Sequence, residues 1–196
     1  MSVPIKYIFF AVIGFSMLIQ NRVLAQAETE TKSEIFTAKN SIHAEFAGNS
    51  GGYALNYGRI IYQKNKMKLA VSAGFSMFYR RVDERISSDY WVPVFPAEIT
   101  AFWGKSKHHL ELGAGFNTLR NRTYIFDEDF PNNIREQIHW DQFIVGRIGY
   151  RYQKPAGGFF FRAGYTPMVE FNNSDTSYKG ISFIPIGLGI SLGVSF

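Results

Sequence analysis

The chain has 196 residues, of which 17% are aromatic and 18 are glycine, and its formal net charge is +5. This length suits one domain or a small barrel, and the mixture of aromatic residues with glycine fits curved β-structure better than a helical bundle. The basic residues are scattered along the sequence, so the charge does not indicate nucleic-acid binding. The absence of cysteine excludes a disulfide scaffold, a thiol nucleophile, a cysteine-ligated zinc site and a lipoprotein-type N-terminal cysteine.

Residues 1–27 have the pattern of a cleaved export signal. Lys6 supplies a positive charge, residues 8–19 form an apolar core, and the Ala-Gln-Ala that ends at residue 27 has the small-x-small form of a cleavage site. The apolar run is short for a transmembrane helix, which needs about 20 residues, and a retained signal anchor is the alternative. Residues 28–39 are polar and of mixed charge, and we expect them to be a flexible lead on the mature N-terminus.

From residue 40 to the C-terminus, eight segments alternate apolar and polar side chains with a period of two, which predicts β-strands. The segments are 41–48, 53–63, 68–80, 91–103, 110–117, 142–153, 159–170 and 180–196, with tight turns expected at 64–66, 104–107 and 155–158 and longer loops at 81–90, 120–140 and 172–179. From the second connection onward, tight turns therefore alternate with longer loops. An even number of strands with short turns on one side and long loops on the other is typical of an antiparallel transmembrane β-barrel.

The two faces of the predicted strands differ in charge. In the last strand, large aliphatic residues alternate with glycine, serine and proline, and the apolar faces of the other strands carry almost no charge. A Lys or Arg that faces lipid at the bilayer midplane costs about 2–4 kcal/mol. We therefore predict that the apolar face points to lipid and the charged face to the lumen, whereas a soluble barrel would have the reverse arrangement. The charges of the inward face are Glu45, Glu98, Glu111, Arg147, Arg151 and Arg162.

Several residues interrupt this pattern. Arg59 falls on the apolar face of the second strand, so either a bulge shifts the register there or the side chain snorkels to the membrane interface. Four prolines lie in or beside strands, where each removes a hydrogen-bond donor, and we interpret all four as rim features near the long loops. They are Pro93, Pro96, Pro167 and Pro185. Six lysines flank the three tight turns, and these are Lys64, Lys66, Lys68, Lys105, Lys107 and Lys154.

The export signal, the eight amphipathic strands and the C-terminal phenylalanine together resemble the small outer-membrane β-barrel proteins of Gram-negative bacteria. The resemblance covers residues 41–196 and implies an up-and-down barrel in the cell outer membrane, with both termini in the periplasm. Its implied partners are outer-membrane lipid and lipopolysaccharide and the outer-membrane assembly machinery, which would recognise the terminal strand through Phe196, Val194, Leu192 and Ile190. The Gln-Ala junction after the signal is similar to signals in Bacteroidetes, and the sequence contains no motif of one subfamily.

The inward charges allow two interpretations. The resemblance to eight-stranded barrels implies an interior filled by side chains, since eight strands leave just enough room for them. Because buried charges are normally paired, we expect the six inward charges to form an ion-pair network. A narrow channel or a conduit for a small hydrophobic molecule is the alternative, although opposite signs on neighbouring strands favour neutralisation over a selective ring.

Enzymatic barrels of this size, such as lipid A deacylases and palmitoyl transferases, use histidine with serine and an acid. Here Ser41, His43 and Glu45 lie on one face of the first strand. Residues two apart on a strand are about 6.5–7 Å apart, too far for a nucleophile and base that must approach to about 3 Å. We therefore predict that the protein is not an enzyme and needs no cofactor. His108 and His109 point to opposite faces of a strand and would not share a metal ion.

The long loops contain the remaining charged clusters. Residues 127–129, Asp-Glu-Asp, could hold a divalent cation or bridge to lipopolysaccharide phosphates, but they lack the ligand spacing of a calcium loop, which favours a solvated acidic loop. Five rim arginines could contact lipid phosphates or simply snorkel: Arg80, Arg81, Arg85, Arg120 and Arg122. We predict a monomeric barrel with a structural or surface-interaction role, in which the loops 81–90, 120–140 and 172–179 carry out any recognition.

Overall fold

The computed structural model describes residues 33–82, 88–126, 134–172, 181–185 and 187–196. The predicted signal and the first residues of the lead lie outside these ranges. Ser33–Phe196 forms one compact unit. Its one described helical element is a single 3-10 turn, Gly48–Ser50, so no helix in the described ranges is long and apolar enough to cross a membrane.

The described ranges contain ten strands, and each of these strands pairs with its neighbours in the antiparallel sense. They are β1 (Asn40–Ala47), β2 (Gly52–Lys64), β3 (Met67–Arg80), β4 (Tyr90–Trp103), β5 (His108–Phe126), β6 (Ile134–Gln153), β7 (Gly158–Tyr165), β8 (Met168–Asn172), β9 (Ser182–Ile184) and β10 (Leu188–Ser195). All eight alternating segments of the sequence contain strands, since a period of two gives each strand one apolar face, but the segments 159–170 and 180–196 are each divided into two strands.

The strands close into a ring. Each of β1 to β6 pairs with the next strand, β6 pairs with both β7 and β8, and β10 pairs with β7 on one side and β1 on the other. β8 pairs with β9, so β7 with β8 and β9 with β10 act as two interrupted barrel strands. The predicted all-β fold, an eight-stranded antiparallel barrel with up-and-down connections, is therefore confirmed.

Two prolines account for the interruptions. Pro167 follows the end of β7, and Pro185 follows the end of β9, where a missing N–H cannot contribute to the ladder. The two breaks lie side by side, because the Thr166 backbone N–H donates to the Gly187 carbonyl at 2.9 Å. Pro96 is not a rim feature as expected. Its side chain is fully buried within β4, and the pairing of β3 with β4 is interrupted beside it.

The expected loop 120–140 is wrong for most of its length. β5 continues to Phe126 and β6 begins at Ile134, and the two strands stay in register out to these residues. The cross-strand ladder satisfies the backbone groups of this extension, so it does not need the one-sided apolar pattern of a strand within the ring.

The irregularity at Arg59 is a β-bulge together with an outward arginine. The register of β2 against β3 shifts between Ile60 and Tyr62, so Ile61 and Tyr62 are both exposed. Arg59 is exposed, and its Nη1 donates to Asn40 Oδ1 at 3.0 Å. The bulge is therefore present one to two residues after Arg59, and the snorkelling of Arg59 to a membrane interface stays a prediction.

The ring has two distinct ends. We call the end that carries the β2–β3, β4–β5 and β6–β7 connections the tight-turn end; it also holds Asn40 and Phe196. The opposite end, with the 3-10 turn between β1 and β2 and the connections at 81–89, 127–133 and 173–181, is the loop end. Between the two ends, the aliphatic residues of β10 are exposed on the outside, whereas Ser191 and Ser195 are buried inside.

Candidate functional site: the charged barrel interior

Six charged side chains converge inside the ring, although the interior of a folded chain is normally apolar. β1, β4 and β5 contribute one glutamate each, β6 contributes two arginines and β7 contributes one. All six are among the buried residues, and they are the six that the sequence assigned to the inward face: Glu45, Glu98, Glu111, Arg147, Arg151 and Arg162. Three negative and three positive groups balance, which lowers the free energy of holding charge away from water.

Arg162 is the centre of this cluster. Its Nη1 lies 2.9 Å from Glu98 Oε2 and 3.2 Å from Glu111 Oε1, and its Nη2 lies 3.2 Å from Glu45 Oε1. Its Nε donates to Ser191 Oγ at 3.3 Å. One guanidinium therefore contacts all three carboxylates, a task that suits arginine because its five donors form a fixed planar fork.

The other two arginines complete the network. Arg147 bonds to Glu45 and Glu98, so each of these carboxylates contacts two arginines. Arg151 holds Glu111 in a two-pronged contact, with Nε–Oε2 at 2.7 Å and Nη2–Oε1 at 3.3 Å. Bidentate pairs of this kind are among the stronger hydrogen-bonded contacts in proteins. The result is a neutral crosslink between strands on different sides of the ring, rather than a ring of one charge.

On the loop-end side of the cluster, the 3-10 turn Gly48–Ser50 folds into the lumen. All three of its residues are buried, and Asn49 Nδ2 donates to the Ala97 carbonyl at 2.9 Å across the ring. The backbone of Gly48 has φ +62, and a Cβ there would lie 2.3 Å from Glu45 Oε1. Glycine is therefore required where the turn meets the charged cluster.

On the tight-turn side, the described part of the lead, residues 33–39, packs across the open end. The Phe36 ring is 1% exposed, and its centroid lies 6.2 Å from that of Phe102 and 5.5 Å from that of His109. The Lys68 ammonium lies 5.0 Å from the same ring and donates to the Gly104 carbonyl at 2.5 Å. Lys68 is thus directed into the barrel, unlike its neighbours at the turns.

The lead is attached to all three tight turns. Glu34 N–H donates to the Lys105 carbonyl, Phe36 N–H to Gln63 Oε1, and Thr37 N–H to the Pro155 carbonyl, each at 3.0 Å. Residues 34–38 of the lead are therefore held against the ring by backbone hydrogen bonds in the structure. The sequence signal for this docking was slight: the otherwise polar lead contains three apolar residues, Ile35, Phe36 and Ala38, of which Phe36 and Ala38 are spaced by two.

The contacts of His43 differ from those of a catalytic base. Its ring stacks on Phe160 with centroids 4.8 Å apart, and Arg162 Nη2 lies 3.5 Å from its Nε2. Among the described residues, no hydrogen bond joins a serine hydroxyl to a histidine ring. His108 is exposed and His109 is buried, so the two point to opposite faces. No described group of three His, Asp or Glu side chains has the arrangement of a metal site, and the acidic run 127–129 lies outside the described ranges.

A second polar cluster, which the sequence did not indicate, lies at the loop end. Asn121 Oδ1 accepts from Arg80 Nη1 at 2.7 Å and from the Tyr90 hydroxyl at 2.9 Å, and Asn121 Nδ2 donates to Asp141 at 3.0 Å. Arg122 lies 3.1 Å from Glu136. Two of the rim arginines, Arg80 and Arg122, therefore have partners within the protein. Arg81 and Arg120 are exposed, and Arg85 lies outside the described ranges.

The terminal strand closes the ring. β10 pairs with β1 from Ser41–Ser195 to Phe46–Ile190, and the backbones of Phe196 and Asn40 exchange two hydrogen bonds of 2.9 Å. The Phe196 side chain is exposed, as are those of Val194, Leu192 and Ile190. These four residues therefore share one outward row at the seam between the first and last strands.

Comparison with known proteins gives one structural similarity. No family model matches the chain, and no curated protein matches it. A solved structure similar to it is the crystal structure of the N-terminal β-barrel domain of Pseudomonas aeruginosa OprF, at 13% sequence identity and a TM-score of 0.41. The match covers 81% of this chain and 96% of that one. The fold assignment rests on the strand pairings described above.

Proposed function

We propose that the protein is an outer-membrane β-barrel whose closed ring is a rigid platform for the segments at its loop end. The observation that carries this proposal is the inversion of the barrel: six charges lie inside, and large apolar side chains lie outside. Leu55, Leu110 and Leu188 are 62%, 58% and 63% exposed on three different strands. A continuous apolar exterior of this kind is unstable in water and suits a hydrocarbon environment.

Two bands of aromatic side chains border the apolar exterior, as expected for rings placed at the two membrane interfaces. The band at the tight-turn end contains Tyr62, Trp103, Tyr150, Tyr152, Phe159 and Phe196, and the band at the loop end contains Tyr53, Tyr79, Trp91, Trp140, Tyr165 and Phe171. Trp91 and Trp103 lie near opposite ends of β4. At a rise of ~3.4 Å per residue and a tilt of ~35–45°, they are separated by about 30 Å along the barrel axis, the thickness of a bilayer core.

The interior supports a platform rather than a conduit. The lead covers one end of the lumen, the 3-10 turn covers the other, and the neutral network around Arg162 fills the space between them. A conducting path would need mobile water through all three layers. The loop end, in contrast, carries the long connections, which are the segments best suited to recognition of a partner.

The test of membrane insertion is electrophoretic. The full chain, extracted from membranes with detergent, is expected to migrate faster before boiling than after, because an intact barrel resists the denaturing detergent. It is also expected in the outer-membrane fraction. Recovery in a soluble fraction without detergent, with no change of migration on heating, would overturn the proposal.

The test of the platform role is electrical. In planar bilayers we expect no reproducible single-channel steps from the wild-type protein. Regular steps that disappear in Glu98→Gln or Arg147→Gln would instead assign a narrow channel to the lumen. Both variants are checked for heat-modifiable migration, so that loss of conductance is not confused with loss of the fold.

Assembly of the barrel belongs to the same proposal. We infer that the outward row of Phe196, Val194, Leu192 and Ile190 is the element that the outer-membrane assembly machinery recognises. Its support is the position of this row at the seam, where the last strand pairs with the first. Deletion of Phe196 is expected to lower the yield of inserted protein several-fold, while deletion of Ser33, the first residue of the lead that the structure describes, is not. Normal rate and yield without Phe196 would contradict the assignment.

A further inference from the structure

We propose that the tight-turn end binds the phosphate groups of an anionic phospholipid leaflet through a ring of six lysines. This inference rests on the proposed insertion in a membrane and goes beyond it, because it assigns a lipid class to one end of the barrel. The six residues, called here the lysine ring, are Lys39, Lys64, Lys66, Lys105, Lys107 and Lys154.

The lysine ring is exposed and lacks acidic partners. All six side chains are exposed, and within the described ranges none of them forms an ion pair. Glu34 is the one acidic residue that these ranges place at this end. The remaining described acids lie in the lumen or at the loop end. Six unpaired ammonium groups therefore create a strong positive potential at one end of the molecule.

The lysines are distributed around the barrel axis, as a planar lipid surface requires, and do not form a patch on one side. One or more of them lie on each of the three tight turns, and Lys39 lies where the lead enters β1. The charges thus surround the barrel axis instead of gathering on one side. A folded partner would contact one side, whereas a lipid leaflet surrounds the whole barrel.

The depth of the lysines also fits lipid phosphates. The lysine ring lies just beyond the aromatic band that contains Tyr62, Trp103 and Tyr150. Rings of this kind occupy the interface, and a lysine stem extends along apolar surface while its ammonium reaches the headgroups. Basic residues close to an anionic leaflet attract it with a strength that falls as salt rises.

Other basic residues differ from the lysine ring because they have partners within the protein. Lys68, which flanks the same turns in the sequence, is fully buried and bonded to the carbonyls of Lys66 and Gly104. At the loop end, Arg80 and Arg122 have protein partners. Arg59, which lies opposite Asn40 at this end, is exposed as well but donates to Asn40 Oδ1. The six lysines are therefore the exposed basic groups that the described ranges place at the tight-turn end without a side-chain partner.

The experiment uses Trp103 as a reporter, because it lies next to the turn that carries Lys105 and Lys107. A Trp91→Phe, Trp140→Phe variant of the full chain leaves Trp103 as its single tryptophan. It is refolded into vesicles of phosphatidylcholine and phosphatidylglycerol, in which one or the other lipid carries brominated chains. Quenching by each lipid gives the preference of the protein surface for the anionic one. At low salt we expect a preference of about twofold or more, which falls to about one in 0.5 M salt.

Matched charge variants locate the effect. Changing one lysine per turn, Lys64→Gln, Lys105→Gln and Lys154→Gln, is expected to bring the preference to about one. The control removes three exposed charges at the loop end, Arg81→Gln, Arg120→Gln and Arg135→Gln, and is expected to leave the preference unchanged. Heat-modifiable migration verifies that both variants are folded.

The outcomes separate the two proposals. Equal quenching by both lipids, or an equal loss in both triple variants, overturns the lipid assignment while membrane insertion stands. No quenching of Trp103 by either lipid overturns membrane insertion, and the lipid assignment with it. If inorganic phosphate at constant ionic strength removes the preference, the lysines form a site for free phosphate and the assignment to a leaflet is wrong.

Discussion

At the tight-turn end the lumen is closed by a segment from outside the ring, whereas at the loop end it is closed by a turn of the ring itself. The lead is held by an apolar anchor, Phe36, and by backbone hydrogen bonds to three separate turns. The 3-10 turn is held by Asn49 and by the close approach of Gly48 to Glu45. The first closure can therefore open while the ring stays intact, but the second cannot move without disturbing the charged cluster.

Substitution of Arg162, which lies between the two closures, is expected to lower the free energy of unfolding more than any other change proposed below. Arg162→Met removes the one side chain that contacts all three carboxylates and leaves a buried net negative charge. We expect a loss of about 3–5 kcal/mol in the free energy of unfolding. Denaturant titration of the protein in vesicles measures this loss. A change below about 1 kcal/mol would mean that water or the remaining arginines compensate, and that the two closures do not depend on the network.

A smaller and more local effect is expected at Phe36. Phe36→Ala removes the ring that packs on Phe102 and His109 and should lower the free energy of opening of the lead by about 3 kcal/mol. Amide hydrogen exchange at Thr37 and Ala38 measures the opening. Ile35→Ala, at a residue 75% exposed, is the control and is expected to change it by less than about 0.5 kcal/mol. If exchange accelerates equally throughout the ring, then the lead is not a separable closure.

A pair of glycine variants tests whether the loop-end closure depends on contact with the charged cluster. Gly48→Ala combines a positive φ with a clash against Glu45 Oε1, and we expect a loss of about 2 kcal/mol. Gly51 has a similar φ, +74, but the nearest atom to its Cβ position is Met168 Cε at 4.0 Å, so Gly51→Ala should cost only about 1 kcal/mol. Urea midpoints compare the two variants. Equal losses would show that backbone strain alone, and not contact with the charged cluster, requires glycine at Gly48.

The smallest expected effect is a change in the pKa of Asp89, in the connection between β3 and β4. The Tyr79 hydroxyl donates to Asp89 Oδ2 at 2.7 Å and the Val82 N–H to Oδ1 at 2.8 Å, and these bonds hold the pKa of the Asp89 carboxyl below its usual value. A depressed folded-state pKa means that the stabilisation is present above about pH 4 and is lost as pH falls through the folded value. NMR titration of Asp89 measures the pKa, and Tyr79→Phe should raise it. An unchanged pKa would contradict the role of this hydrogen bond.

Which residues face the inside and the outside of the ring could be predicted from the sequence, because alternate residues of a strand point to opposite faces whatever their type. The spacing of two between Ile190, Leu192 and Val194 places them on one face. Glu98 and Arg147 alternate with apolar residues in their strands, which places them on the opposite face from those residues. The charge on the inward face also indicated an inverted barrel. The centring of the network on Arg162 could not be predicted, because it depends on distances between strands that are not adjacent.

Other features lacked a local signal. The docking of Phe36 depends on partners more than sixty residues away in the chain, Phe102 and His109. The extension of β5 and β6 beyond residue 120 lacks an apolar face, so its pattern resembles a loop. Lys68 carries the residue type and spacing of the exposed lysines, and only the carbonyls and the Phe36 ring around it reveal that it turns inward.

The attachment of the lead to three turns has a consequence for the order of folding. Lys105, Gln63 and Pro155 belong to three different hairpins, and their partners on the lead can all be engaged only after these hairpins stand side by side. Loop closure over such sequence distances is slow and comes late. We therefore expect residues 34–38 to dock after these hairpins have assembled, so that protection of this segment from a protease marks a molecule in which the three hairpins stand side by side.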